Sequence, residues 1–470
     1  MVSMFRWLAL ILVLLLVIAG GGYVAAGNTT PPTISIDQPT GPVGQQGTLQ
    51  FTLGASRGLF SKVSATLEQN GKTMPLFDQA APEAEGATTR HTDADHLQVT
   101  RPIGKVALPD LQQGAAKITV TASRQSFLRI REVTTTVSKD IQVRLEPPRI
   151  AVLSTKHYLN HGGSEFVVYR ATPPDVDSGV RVGEIEYRGY PASGAGLPAS
   201  DPALKVAFFG LLHDQPLNAP VVAFARDAAG NEAHVSFVDD VFEKPFRKSR
   251  IPIDDRFLGR VVPEILEHSP QIKVDNPGDL LAGFLKENGD LRRINADQIL
   301  VFGKNSAPEM FWKGPFVQLG NSKVEAAFAD ARTYIYNGKD VDQQTHLGFD
   351  LAVTANVPVL AANAGKVVNA DWLGIYGNCV IIDHGLGVQS LYGHLSSIDV
   401  KVGDMVTRGQ TLGRSGQTGL AGGDHLHFTM LVGGHPVNPV EWWDPHWIQD
   451  RVERKLKDAG APAPVAAATR

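Results

Sequence analysis

Asp424-His425-Leu426-His427-Phe428 is the stretch on which the reading of this chain turns. Leu426, Phe428 and Met430 share one parity, so the segment predicts an apolar β-strand. Side chains two apart on a strand leave the same face, with Cα atoms about 6.7 Å apart. Two histidines so placed are not interchangeable, but one can ligate a metal while the other reaches the water bound to it. Alone, such a pair is more often structural. A second motif inverts that balance: His346-Leu347-Gly348-Phe349-Asp350 precedes the apolar run Leu351-Ala352-Val353 and can converge on the first from a loop and strand start. Two imidazole nitrogens and one carboxylate oxygen form a three-ligand set suited to Zn²⁺, and a fourth position left to water makes such a site catalytic. His394, in Leu391-Tyr392-Gly393-His394-Leu395, adds a further group able to accept or donate a proton near neutral pH.

Other fragments fall in order between the two motifs: Ile382-Asp383-His384-Gly385, Tyr392-Gly393-His394-Leu395 and Gly413-Arg414-Ser415-Gly416-Gln417-Thr418-Gly419. Together these motifs make residues 340–442 resemble the lysostaphin-type, LytM-like zinc metallopeptidases, whose H-x₃-D and H-x-H motifs frame a small β-structure. The resemblance implies one zinc per chain, held by His346, Asp350 and His427, with His394 and His425 as the catalytic histidines that act on water and the oxyanion. It further implies peptidoglycan as substrate, cut at its peptide cross-links; relatives divide between glycyl-glycine bridges and D-alanyl–diaminopimelate bonds. Leu347 departs from the pattern, standing where the family commonly carries a polar or basic residue.

The remaining candidates have plainer readings. His384 reads as a turn or supporting residue, and His435 and His446 as surface or packing residues. His91-Thr92-Asp93-Ala94-Asp95-His96 has loop composition and is not read as a metal site. Trp442-Trp443 suits a packed edge, because large aromatics usually serve burial. The glycines at 413, 416, 419, 422 and 423 lack the lysine and following helix of a phosphate cradle, so they predict a hairpin before the histidine strand. Cys379 is the single cysteine. Lying in Asn378-Cys379-Val380-Ile381-Ile382, it reads as a buried strand residue, and it excludes an intrachain disulfide or a cysteine-rich zinc site.

Outward from the C-terminal region, 470 residues with 43% apolar and 20% charged content indicate a multidomain globular chain. A net charge of −4 gives no support for nucleic acid as a partner. Trp7 to Gly27 carries no charge, follows Arg6, and at about 20 residues is long enough to span a bilayer. With no further Lys or Arg before Arg57, the N-terminus is expected in the cytoplasm and the bulk in the periplasm. An uncleaved inner-membrane anchor is the reading taken; a signal peptide processed at Val24-Ala25-Ala26 is the alternative.

The expected fold is mainly β. Residues 1–27 form the anchor or signal sequence, and 28–145 and 146–241 form two immunoglobulin-like sandwiches, each opened by a Pro-Pro-x-Ile run (Pro31-Pro32-Thr33-Ile34, Pro147-Pro148-Arg149-Ile150). Residues 242–305 predict a short helical connector with acidic helix starts, 306–447 the LytM-like peptidase domain, and 448–470 a short helix and a tail too poor in bulky apolar groups to pack. Envelope proteins are expected partners of the sandwiches. A non-enzymatic regulator of another hydrolase is the rival function, and an enzyme kept latent by an upstream segment at the fourth zinc position is a third.

Overall fold

The computed structural model describes every residue except 1, 28, 83–85, 127, 128, 130, 353 and 461–470. Strands dominate, and the described chain divides into two compact units, Met1–Pro148 with Arg226–Glu232, and Arg149–Ala225 with Ala233–Arg470. The tail expected after residue 460 lies outside the described residues.

In the first unit, one sheet runs Thr33–Gln38, Gly47–Gly54, His96–Ile103, Thr88–His91, and a second runs Lys72–Asp78, Lys62–Gln69, Gly114–Gln125, Glu132–Val143. Alternation in these strands turns Leu49, Phe51, Leu53 and Val99 inward from one sheet against Val63, Leu67, Ile118 and Val120 from the other, forming one core. The N-terminal helix covers Val2–Gly27 and leaves Leu10–Ile18 exposed. Over the described residues no helix is long and apolar enough to cross a membrane, unlike the spanning anchor expected from the sequence.

The second unit begins with another pair of four-stranded sheets, Tyr190–Pro191, Leu204–Gly210, Ser164–Thr172, Arg149–Val152 and Ile185–Arg188, Asp177–Val182, Val221–Arg226, Glu232–Ser236. Its core is continuous with that of the C-terminal region: Phe166 and Phe208 share a cluster with Trp312, Phe316 and the fully buried Trp442. Trp442 and Trp443 are therefore packing residues, as their sequence context suggested; Trp443 stacks on Phe428.

Residues 242–305 are more than a helical connector. Asp254 and Asp279 do cap helices Asp255–His268 and Leu280–Lys286, accepting from the Phe257 and Ala282 amides. Before them, however, Lys248–Ile253 is a strand, running parallel to Asp330–Tyr336. Its first half, Lys248-Ser249-Arg250, is polar and only Ile251 and Ile253 alternate inward, too short an apolar pattern to announce a strand without its neighbour.

The C-terminal sheet orders Lys323–Ala326, Phe349–Ala352, His425–Val432, Val388–Leu395, Asn378–Gly385, Gly365–Trp372 and Met405–Val406. Its central strands are buried along their length, including Cys379, and it carries the histidine pair at its middle.

Candidate metal centre and catalytic site

Register brings the two motifs together. Asp350 pairs directly with His427, and Gly393 pairs with His427 from the other side, which sets His394 beside it. His346 closes the strand Lys339–His346 rather than sitting in a loop, and Asp330 lies opposite it. The five residues read from the sequence, His346, Asp350, His394, His425 and His427, all line one cavity of about 90 Å³, together with Arg292, Arg332 and Tyr376.

Each imidazole is steered by one hydrogen bond. His346 Nδ1 faces the Ala327 carbonyl at 3.1 Å, His394 Nδ1 the Thr418 carbonyl at 2.8 Å, and His425 Nδ1 the Gly423 carbonyl at 2.8 Å. A carbonyl only accepts, so these nitrogens carry the protons and the Nε2 atoms are left for the cavity. His427 is held the other way round. Thr429 Oγ1 donates to the Leu347 carbonyl at 3.1 Å and lies 2.9 Å from His427 Nε2, which must then donate to it. Nδ1 of His427 is thereby turned inward.

The result is a triangle of lone pairs. His346 Nε2, His427 Nδ1 and Asp350 Oδ1 are separated by 2.9, 3.0 and 3.0 Å. With both neutral imidazoles protonated on their outer nitrogens, three electron-rich atoms face one another with nothing to bind but a cation. Two nitrogens and a carboxylate oxygen are a zinc donor set, and among the described residues these three are the group found able to hold a metal. None of the three donors comes from residues 242–320.

Charge around the triangle follows from burial and from Asp350. Burial would raise the Asp350 carboxyl, but once the facing nitrogens of His346, His425 and His427 carry protons, the charge of His346 and their hydrogen bonds hold it well below the usual carboxylate range. Burial pushes His394 well below its ordinary value, helped by His425 and His427, and pushes His427 down to about 4. Burial also works against His425, yet the hydrogen bond and charge of Asp350 raise it. A divalent cation among the donors would take the place of those protons.

Gly348 has a steric reason. A Cβ there would stand 2.6 Å from His427 Nε2 and 2.5 Å from Thr429 Oγ1, breaking the bond that orients the ligand. His394 sits at φ 63°, a conformation that costs a residue other than glycine of order 1 kcal/mol and is commonest where position serves a site.

Four contributors had no motif to announce them. Arg332 donates from Nη2 to Asp350 Oδ2 at 2.9 Å, leaving Oδ1 for the triangle. The Tyr376 ring lies 5.4 Å from that of His427. Arg292 enters from the helical segment. Thr429 alone left a trace, two residues beyond His427 and so on the same strand face. The other histidines lie elsewhere: both His384 nitrogens are engaged, by the Ala364 carbonyl and Ser390 hydroxyl at 2.7 Å, and His96 pairs with exposed Asp93.

The β-sheet thus presents a buried two-histidine, one-carboxylate triangle, a donor set suited to a divalent metal, with two further histidines on the same cavity. Residues 344–439 match the model of Peptidase family M23, and this segment is a domain of that family. The peptidoglycan DD-endopeptidase ShyA of Vibrio cholerae serotype O1 is 31% identical over 170 residues, 36% of this chain and 36% of the relative. ShyB, a peptidoglycan DD-endopeptidase of the same organism, is 33% identical over 237 residues, 49% of this chain and 53% of the relative. The chain thus spans about half or less of the length of these relatives. Among solved structures, the catalytic domain of lysostaphin from Staphylococcus simulans is 32% identical, covering 26% of this chain and 92% of that one, with a TM-score of 0.23.

Proposed function

We propose that the chain is a zinc metalloendopeptidase of the bacterial envelope that hydrolyses peptide cross-links of peptidoglycan, of the D-alanyl–diaminopimelate kind. The observation that carries this reading is the lone-pair triangle of His346, Asp350 and His427 with His394 and His425 on the same cavity. Zinc bound there supplies a Lewis acid that polarises a carbonyl and acidifies water. His394 and His425, each with Nδ1 fixed on a carbonyl, hold Nε2 toward the reacting atoms, where proton transfer from water and to the leaving amine is required. Arg332 keeps Asp350 in place. The bond preference rests on the two relatives named DD-endopeptidases.

The two sandwiches are read as immunoglobulin-like. Their strand orders support this, since in each the first, second, fifth and sixth principal strands share one sheet and the others share the second. The uncharged run from Trp7 to Gly27, with Leu10–Ile18 exposed on its helix, supports an inner-membrane anchor that leaves the catalytic domain in the periplasm. The sandwiches then act as a spacer or as a docking surface for envelope proteins.

Mass analysis of fragments released from purified peptidoglycan tests the reading directly. Wild type is expected to contain one zinc and to open cross-linked dimers, whereas His394→Ala and His427→Ala release nothing above background. Stoichiometric zinc without any cleavage would turn the assignment to a non-enzymatic regulator.

A further inference from the structure

The cavity charges are paired except one. Asp350 is matched by Arg332, and Arg332 by Asp350 with Asp330 at 3.7 Å. Arg292, half-buried at the start of helix Arg292–Lys304, has only neutral partners: Nε donates to the Asn288 carbonyl at 3.2 Å and Nη2 to Asn288 Oδ1 at 2.5 Å. No ion pair of Arg292 occurs among the described residues. Asn288 is fully buried and anchored in turn, its Nδ2 donating to Asp342 Oδ2 at 2.7 Å. The guanidinium is thus clamped from one side, and among the described residues Nη1 and the second Nη2 proton have no partner, an unused fork.

Arg292 also belongs to the catalytic cavity. Arg292 lines it together with His394, His425 and His427, and its charge acts on Tyr376, the ring beside His427. Through Arg332, Asp350 and His425 the cavity joins a groove of about 540 Å³ lined both by Arg247, Lys248 and Arg250 and by Glu325 and Asp330, room enough for a peptide. Holding a half-buried cation without a counter-charge is unfavourable unless an anion arrives to meet it. The planar two-donor edge matches a carboxylate better than a single-point acceptor.

We propose that Arg292 binds a free carboxylate of the substrate peptide next to the scissile bond, so that the enzyme selects stem peptides bearing acids over the same peptides carrying amides. This rests on the peptidase reading above, and it makes Arg292 a specificity residue contributed by the segment upstream of the M23 domain.

The test uses the full zinc-loaded chain in detergent and two synthetic cross-linked peptide dimers that differ only in carboxylate against carboxamide. Wild type is expected to favour the acid by about tenfold or more in kcat/KM, chiefly through KM. Arg292→Met should bring that ratio toward one, and Arg292→Lys should restore part of it. Equilibrium binding of the acid dimer to zinc-depleted protein should weaken in the same order, independently of turnover. Zinc content equal to wild type shows that the variants fold. Cleavage of both dimers with one KM by wild type and Arg292→Met alike would overturn the role of Arg292 and keep the peptidase. Failure of wild type to cleave either dimer would overturn both.

Discussion

Thr429 decides which nitrogen of His427 faces the cavity. Its hydroxyl proton goes to the Leu347 carbonyl, so its oxygen can only accept from His427 Nε2, 2.9 Å away, and Nδ1 is left as the ligand atom. Removing that acceptor leaves the ring free to rotate and to lose its tautomer. Thr429→Val, nearly the same in volume, is expected to weaken zinc binding by about 10- to 100-fold with the fold retained. Competition against a chromophoric chelator measures this, and unchanged affinity would show that strand packing alone orients the ring.

Gly348 guards the same bond by being small. Gly348→Ala places a methyl within 2.6 Å of His427 Nε2, and neither neighbour can retreat, because Thr429 and His427 are both buried in the central strand. Zinc affinity is expected to fall at least as far as in Thr429→Val. Double-variant titration checks the origin: the two effects should be less than additive if both act through His427.

Ligands and proton-handling residues should separate cleanly. His346→Ala, Asp350→Asn and His427→Ala are expected to purify with little zinc, since each removes one of the three donors. His394→Ala should keep zinc near one per chain while kcat falls by about 10²- to 10⁴-fold. Metal analysis beside turnover on one preparation decides it; zinc loss in His394→Ala would make that residue a ligand.

Stability should depend on Glu441. Buried, and close to Glu165, its carboxyl is pushed up to about 7 from 4.5, although Asn160 Nδ2 and the Ser164 amide and hydroxyl all donate to it. A carboxyl whose folded pKa lies above its unfolded one binds more protons in the folded state between the two. Its contribution is therefore complete below about pH 4.5 and is lost as pH rises to 7. The expected loss is about 3 kcal/mol over that window. Urea melts at pH 4.5, 6 and 7.5 should show the slope, and Glu441→Gln should flatten it; an unchanged slope in the variant would place its origin elsewhere.

Much of the site was legible because its chemistry is local. His425 and His427 announce a strand face by parity, His346 and Asp350 an adjacent one, and all five expected residues meet on one cavity. The helix starts at Asp254 and Asp279 were readable for the same reason, since a cap and the amide it satisfies lie within one turn. The strand Lys248–Ile253 was not, because only Ile251 and Ile253 carry an apolar alternation and its partner is some eighty residues away.

By itself, then, the order of residues determined the β character of the chain, the residue types available to hold a metal and the five positions that would bring them. Tertiary structure alone decided that His346 Nε2, His427 Nδ1 and Asp350 Oδ1 share a 3 Å triangle, that Thr429 and Arg332 hold two of them there, and that Arg292 reaches the same cavity from another segment. The physical reason is that strand parity and helix capping are set by neighbours along the chain. Which ring nitrogen is free, and which cation lacks a counter-charge, depend on atoms that only folding makes adjacent.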